Sequence, residues 1–475
     1  MRFNKIQVVD RSMAAVYFDE MGNSVFTNKE RFVDIDYSDS SYRILGLFRL
    51  WNTVKYFFPY LDIIDYDWNE LLLEYIPKML EGEDVFSYEI TLVTLASKLQ
   101  DAHIGFARGL MAMGAELLDQ LPITAGIIEQ LFGSYLAPVV LREAEGYLVV
   151  SDDGHGLKAG DIILRVNNTD IDEITKAMLT YLPFPNEDKA LAYLVRGHVI
   201  LRQHSGAVPM AIDVYRFGEE LKVYVNVTAR TPFWYIWRYT DTVSSSHMLL
   251  ENNIGLINPS MINREEWYRN SALRDIMREF ESLNVNGLII DLRQRSFGIN
   301  YLLAEYLLEK QEHFFTGARP FRLLPGVFAD ALRRHSGYGS LVKLVQENYD
   351  MGFLVDPEPE ESFGSFFHNK NTVLLMNEHT QSHLEFTVMT LWNGANVTVM
   401  GTNSIGANGN VTILPLPGAI AMIFTGLGVY TPDGGQTQRI GLSPDIYAPR
   451  TIIGIRDGQD ELMDAAVQFL LESIL

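Results

Sequence analysis

Ser382 in NEHTQSHLEF (377–386) and His103 in LQDAHIGFARG (99–109) are the two side chains whose settings suit acyl transfer. Hydrolysis of a peptide bond needs a nucleophile, a base to take its proton, and donors where the carbonyl oxygen becomes an oxyanion. Ser382 falls between the apolar runs TVLLM (372–376) and TVMTLW (387–392), where a strand hands over to a helix. Its hydroxyl is therefore expected at a sheet edge, beside the N–H groups that open a helix. Serine is also a favoured N-cap, so the same placement suits a residue that only starts the helix. His103 follows an amphipathic helix and precedes a Gly turn, which suits a positioned imidazole and equally a cation at a helix C-terminus.

Other constellations fit their chemistry less well. GTNSIGAN (401–408) has the two-glycine spacing of a phosphate loop but lacks its Lys and Ser/Thr. His379 and His383 are four apart, as zinc ligands on one helix face would be, yet no Glu follows His379. With no cysteine in the chain, thiolate metal sites, disulfides and Cys nucleophiles are excluded. No metal and no cofactor is expected.

Three kinds of segment must position the serine and the histidine. From Tyr42 to about Leu99, ILGLFRLWNTVKYFF and YEITLVTLASKL repeat apolar residues at helical spacing, punctuated by Pro59 and Pro77, behind a strand-bearing leader. From about Leu121 to Arg230, short β-rich runs such as YLAPVVLREAEGYLVVSDD (135–153), DIILRVNN (161–168) and LKVYVNVTA (221–229) flank one helical segment, IDEITKAMLTYL (171–182). After Arg230 the pattern is α/β. NNIGLINP, NGLIIDLR, TVLLM and VTVMG read as buried strands, and LRDIMREFESL, NYLLAEYLLEKQ, LEFTVMTLW and the terminal DELMDAAVQFLLESI as helices. Such a sheet presents its reactive loops at the C-terminal ends of its strands.

Composition bounds the partners. The 475 residues are 47% hydrophobic and 12% aromatic, which suits two or three domains with sizeable cores. A net charge of −22, from 38 basic and 60 acidic residues, repels nucleic acid and anionic membrane surfaces. LPLPGAIAMIFTGLGVY is interrupted by proline and glycine and reads as short buried strands and turns, not as a membrane span. The first twenty residues carry no apolar core behind a basic end, so no secretory signal is expected within the sequence given.

GLKAGDIILRVNNTDI (156–171), with its Gly-x-x-x-Gly-Asp turn leading into an alternating strand and an Asn-Asn turn, resembles the core of a PDZ domain. Such domains capture an extended peptide at a sheet edge. LFRLWNTVKYFFPY, LQDAHIGF, GLKAGDIIL, LIIDLR, LLMNEHTQSHLEF, VMGTNSIGANGNV and YTPDGGQTQRIGLSPDI occur in the order found in the S41 serine peptidases. Those are the C-terminal processing and tricorn-like proteases, and the secreted Bacteroides-type members are the most similar. The resemblance covers about residues 42 to 460.

The resemblance implies an α+β multidomain fold. Residues 1–120 would form an N-terminal region, mainly helical from about 42. Residues 121–230 would form a PDZ-like β domain, and 231–475 an α/β catalytic domain of the ClpP/crotonase-like type. It implies Ser382 as nucleophile, three before Glu385, and His103 as base. It also implies oxyanion donors at His383 and in the loop after Asp-Leu-Arg, among Ser296, Phe297 and Gly298. Ala407 stands where the processing branch carries its lysine, which leaves a Ser–His mechanism. Ala102 and Gln438 stand where the tricorn branch has a serine and a glutamate, so Gln438 is the candidate third member, orienting imidazole through its amide oxygen. A serine endopeptidase on short or unfolded polypeptides is expected, secreted or periplasmic by resemblance, with a catalytically impaired peptide-binding protein as the alternative.

Overall fold

A computed structural model describes residues 16–18, 24–26, 32–108, 123–196, 200–229, 245–262, 271–294, 300–309, 315–318, 353–355, 366–392 and 394–474. Three helices, Ser40–Phe57, Trp68–Glu81 and Val85–Ser97, open the main body. Each starts where an aspartate accepts from the first free N–H groups: Asp39 from Ser41, Asp67 from Asn69 and Glu70, and Asp84 from Ser87. The second helix runs through Pro77, which the sequence suggests as punctuation. Burial of Tyr75 and Met79 on either side outweighs the one lost backbone donor.

These helices do not close a core among themselves. Leu47, Leu50, Val54, Tyr88 and Leu92 pack with Leu414, Leu416, Ile420, Met422 and Phe424. The latter five belong to a hairpin, Val411–Leu416 with Ile420–Thr425, whose second strand also pairs antiparallel with Gly105–Arg108. This three-stranded sheet joins the two ends of the chain.

The middle region is an antiparallel sheet in the order Glu219–Val225, Met210–Arg216, Ile162–Val166, Tyr147–Val150, Leu141–Ala144. Helices Ile171–Leu179 and Ala190–Arg196 belong to it, and Ile163, Val166, Met178, Leu194, Ile212 and Val214 share its core. The last part of the chain carries a six-stranded sheet in the order His247–Leu250, Ile254–Ile257, Gly287–Asp291, Thr372–Met376, Val397–Gly401, Ile446–Tyr447. All its pairings are parallel except the first. Helices Ser271–Ser282, Asn300–Leu307 and His383–Leu391 cover one face, and Glu461–Ile474 covers the other. With helices on both faces the strands can be apolar throughout, which is why GLIID and TVLLM are buried at every position. Among the described residues no helix is long and apolar enough to cross a membrane.

Candidate active site

The strand Thr372–Met376 ends at the carboxyl edge of the parallel sheet, and the helix His383–Leu391 begins seven residues later. The intervening turn is tightly stapled. Thr380 Oγ1 donates to Leu292 O at 3.0 Å and accepts from Asn377 N–H at 3.0 Å, while Ile405 N–H donates to Thr380 O at 3.0 Å. Ser382 closes it at φ 58° and ψ −119°, a conformation a residue with a Cβ rarely adopts. Strain of this kind, of order 1–3 kcal/mol, persists only where the surroundings over-determine it. Here Ser382 N–H lies between Ala407 O at 3.0 Å and Glu385 Oε2 at 3.2 Å. A sharp strand-to-helix turn at a strained serine is how a nucleophile is exposed above a sheet.

Glu385 is fully buried, and burial raises its carboxyl above the usual range. It accepts from Ser404 Oγ at 2.5 Å, Gly406 N–H at 2.9 Å and Ala407 N–H at 3.1 Å. One buried carboxylate thus ties the serine turn to the 404–407 segment.

His103 sits just before the strand Gly105–Arg108. That strand pairs Gly105 with Ile423, and continuing the antiparallel register by two residues puts His103 opposite Thr425. The ring Nδ1 meets Thr425 Oγ1 at 2.8 Å. Thr425 Oγ1 donates in turn to Asp101 Oδ1 at 3.0 Å, so its oxygen can only accept from the ring. Nδ1 therefore carries the proton, and Nε2 is the basic nitrogen. Asp101, fully buried, also accepts from His103 N–H at 3.0 Å, Thr425 N–H at 2.8 Å and Gln438 Nε2 at 3.1 Å.

The serine and histidine turns touch directly, because Gln381 Nε2 donates to Ala102 O at 3.1 Å. Residues 279 positions apart are thus joined one place before each candidate. Gln438 enters the same cluster, yet its amide nitrogen faces Asp101 and its buried Oε1 has no hydrogen-bond partner among the described residues. The ring contact expected of Gln438 is made by Thr425. His383 opens the helix, and burial lowers its imidazole pKa, favouring the neutral ring. Ser296, Phe297 and Gly298 lie outside the described residues. His379 stands in the turn before the helix that His383 begins, so the two do not share a helical face. Asp101 and Thr425 were not marked by sequence reasoning as members of the site. Asp101 lies within LQDAHIGF, but only the register of the hairpin identifies Thr425.

Residues 332–448 match the model of Peptidase family S41. A curated Carboxy-terminal-processing protease of Bartonella bacilliformis is 32% identical over 93 residues, 20% of this chain and 21% of that protein. The match thus spans about a fifth of that relative's length. The crystal structure of mature CPAF superposes with a TM-score of 0.68 at 15% identity, covering 92% of this chain and 98% of that one. Mature CPAF complexed with lactacystin gives 0.65 at 14% identity over 92% and 99% of the two chains. At these identities the likeness is one of fold. The likeness to peptidase family S41 in sequence is carried by residues 332–448, about a quarter of the chain.

Proposed function

We propose that the chain is a serine endopeptidase that hydrolyses peptide bonds in short or unfolded polypeptides. The observation that carries the reading is the fixed tautomer of His103, held by Thr425 and Asp101, in a turn bonded to the one that bears Ser382. Ser382 Oγ attacks the scissile carbonyl while His103 Nε2 takes the hydroxyl proton. The C–O bond forms, and the carbonyl oxygen becomes an oxyanion near the N–H of His383. Collapse breaks the C–N bond as Nε2 returns the proton to the leaving amine. Water then attacks the acyl-enzyme, its proton passing to Nε2 and back to Ser382 Oγ. Throughout, Asp101 stabilises the imidazolium through the Thr425 hydroxyl, so the charge absent from Gln438 is supplied from the other side.

Capture of the chain being cut falls to the PDZ-like middle region. Its edge strand Leu141–Ala144 lies beside the helix Ala190–Arg196, and Val139, Leu141, Val195, Ile200 and Leu201 line an apolar pocket there. A strand added at this edge would gain main-chain hydrogen bonds and lay side chains against the half-buried Val139. By family resemblance the protein works outside the cytoplasm. A fluorophosphonate probe tests the reading. Labelling at Ser382, lost on denaturation and in His103→Ala, together with turnover of an unfolded protein, is the expected result. Peptide binding without labelling or turnover would identify a peptide-binding protein instead.

A further inference from the structure

Lys189 belongs to the middle region, immediately before the helix Ala190–Arg196, and its side chain leaves that region. It is only 7% exposed, and its Nζ donates to the carbonyl oxygen of Ser404. Ser404, fully buried, donates its hydroxyl to Glu385 Oε1 at 2.5 Å and accepts from Leu442 N–H at 2.7 Å. Glu385 in turn holds the backbone N–H of Ser382. An unbroken path of hydrogen-bonded groups therefore runs from a lysine of the middle sheet's region to the strained serine.

The segment that carries Lys189 is pinned from its other side. Asn186 Nδ2 donates to Arg439 O at 2.5 Å, and Arg439 Nε donates to Pro185 O at 3.0 Å. Arg439 N–H also donates to Gly406 O at 2.7 Å, so the same residue grips both 185–186 and the loop beside Ser382. Gly406 sits at φ +81°, and a Cβ there would meet the carbonyl carbon of Arg439 at 2.7 Å. The approach is close enough that the two segments must move together.

Burying an ammonium is costly unless its charge is answered. The acidic groups facing Lys189 are Glu385, Glu378 and Asp188, of which Glu385 acts most strongly. The lysine charge, reciprocally, opposes the burial that raises the Glu385 carboxyl. A methionine would fill the same volume without this penalty, so what the cation contributes beyond packing is its charge beside Glu385 and its bond to the Ser404 carbonyl.

We infer that Lys189 is a positioning residue for the proposed peptidase: a strut from the middle region that, through Ser404 and Glu385, holds Ser382 in its strained conformation. The inference rests on the reading of Ser382 as nucleophile only for its effect on rate. Its effect on backbone order stands apart. Burial lowers the Lys189 pKa to about 8 despite the three carboxylates, so the strut loses its charge as pH rises through that value.

The test is made on the full chain, with Lys189→Met and Lys189→Arg. In Lys189→Met, kcat on a short fluorogenic peptide should fall about ten- to a hundredfold, with KM changed by less than about twofold, because a misplaced reacting group costs rate more than binding. Backbone amides of Ser382, Gly406 and Ala407 should exchange with deuterium about tenfold faster, while Leu288–Ile290 and Ile212–Val214 keep their protection. Lys189→Arg should recover part of both. If Lys189→Met does not fold, the unaltered protein decides. Between pH 7 and 9, after correction for base-catalysed exchange, the same three amides should lose protection relative to the two strands. Unchanged kcat and unchanged exchange in a folded Lys189→Met protein, or uniform exchange across that pH range, would overturn the strut. If the unaltered protein neither turns over peptide nor labels at Ser382, the peptidase reading fails, and the exchange measurements still decide the role of Lys189.

Discussion

The two turns that meet at the candidate active site are built by different means. The serine turn takes its course from its own neighbours in sequence, since a strand ends at Met376, Asn377 and Thr380 close a turn and a helix begins at His383, and main-chain groups of Leu292, Ile405 and Ala407 then staple it. The histidine turn takes its ring and carboxylate contacts from far away, since Thr425 and Gln438 lie 322 residues from His103 and 337 residues from Asp101 respectively. In the proposed mechanism the nucleophile is thus prepared by backbone geometry and the base by side-chain partnership. Substitution of Thr425 should therefore disarm the histidine without disturbing the serine.

The largest effect separates the reacting groups from everything around them. Ser382→Ala and His103→Ala should each lower kcat by about 10⁴- to 10⁶-fold, as loss of a nucleophile or its base does. Neither substitution should move the unfolding midpoint much, and near-native kcat in either folded variant would remove that residue from the mechanism. Next come the partners of the ring. Thr425→Val and Asp101→Asn should lower kcat about 10²- to 10⁴-fold with little change in KM, because both disturb the proton at Nδ1 and the stabilisation of imidazolium. Thr425→Ser keeps the hydroxyl and should retain most activity. If Thr425→Val kept full kcat, base and nucleophile would not differ in the way argued above.

Gln438 sharpens the comparison, since family pattern and geometry make opposite forecasts. A glutamate at this position should complete a triad if the side chain faced imidazole. It faces Asp101, however, where its amide nitrogen donates at 3.1 Å. Gln438→Glu would set two buried carboxylates against each other, which pushes the pKa of one of them up. A group whose folded pKa is raised above its unfolded value is more easily protonated in the native state. The penalty is therefore full well above the folded pKa and fades as pH falls below the unfolded value near 4. At pH 7 the variant should lose on the order of 3 kcal/mol of stability, recover part of it near pH 4, and show lower kcat. Higher activity at pH 7 would return the third position to residue 438.

How much of this was legible beforehand follows from the same division. The strands Gly287–Asp291, Thr372–Met376 and Val397–Gly401 announce themselves as continuous apolar runs, because a sheet covered on both faces demands them. The helix at His383 is marked by Ser382 with Glu385 three places on. The hairpin 411–425 was readable as short strands, but not its pairing with Gly105–Arg108, since register depends on the fold's closure. Asp101, Thr425, Ser404 and Lys189 belong to the site through that closure alone. For Gln438 the sequence suggests an amide oxygen turned to imidazole, whereas in the fold its amide nitrogen donates to Asp101. The shared core of the N-terminal helices and the hairpin was likewise invisible to a reading that divides the chain into consecutive blocks.

The smallest effect lies farthest from both turns. Val139 is only half-buried at the mouth of the apolar pocket beside the edge strand Leu141–Ala144. Val139 packs partly buried against the core that holds Leu141, Leu194 and Val195, and a charge there should oppose seating of an extended apolar chain along the edge strand. Deleting the whole middle region would be a poor test, since it would also remove Lys189 and Asn186 from the loop beside Ser382. Val139→Asp leaves those contacts in place. For long unfolded substrates KM should rise by about three- to tenfold, whereas kcat and KM for a peptide too short to span the two regions should stay unchanged, because remote contacts contribute only to substrates that reach them. Equal effects on long and short substrates would mean that Val139 acts on the serine and histidine turns themselves, and the edge strand would then have no separate part in capture.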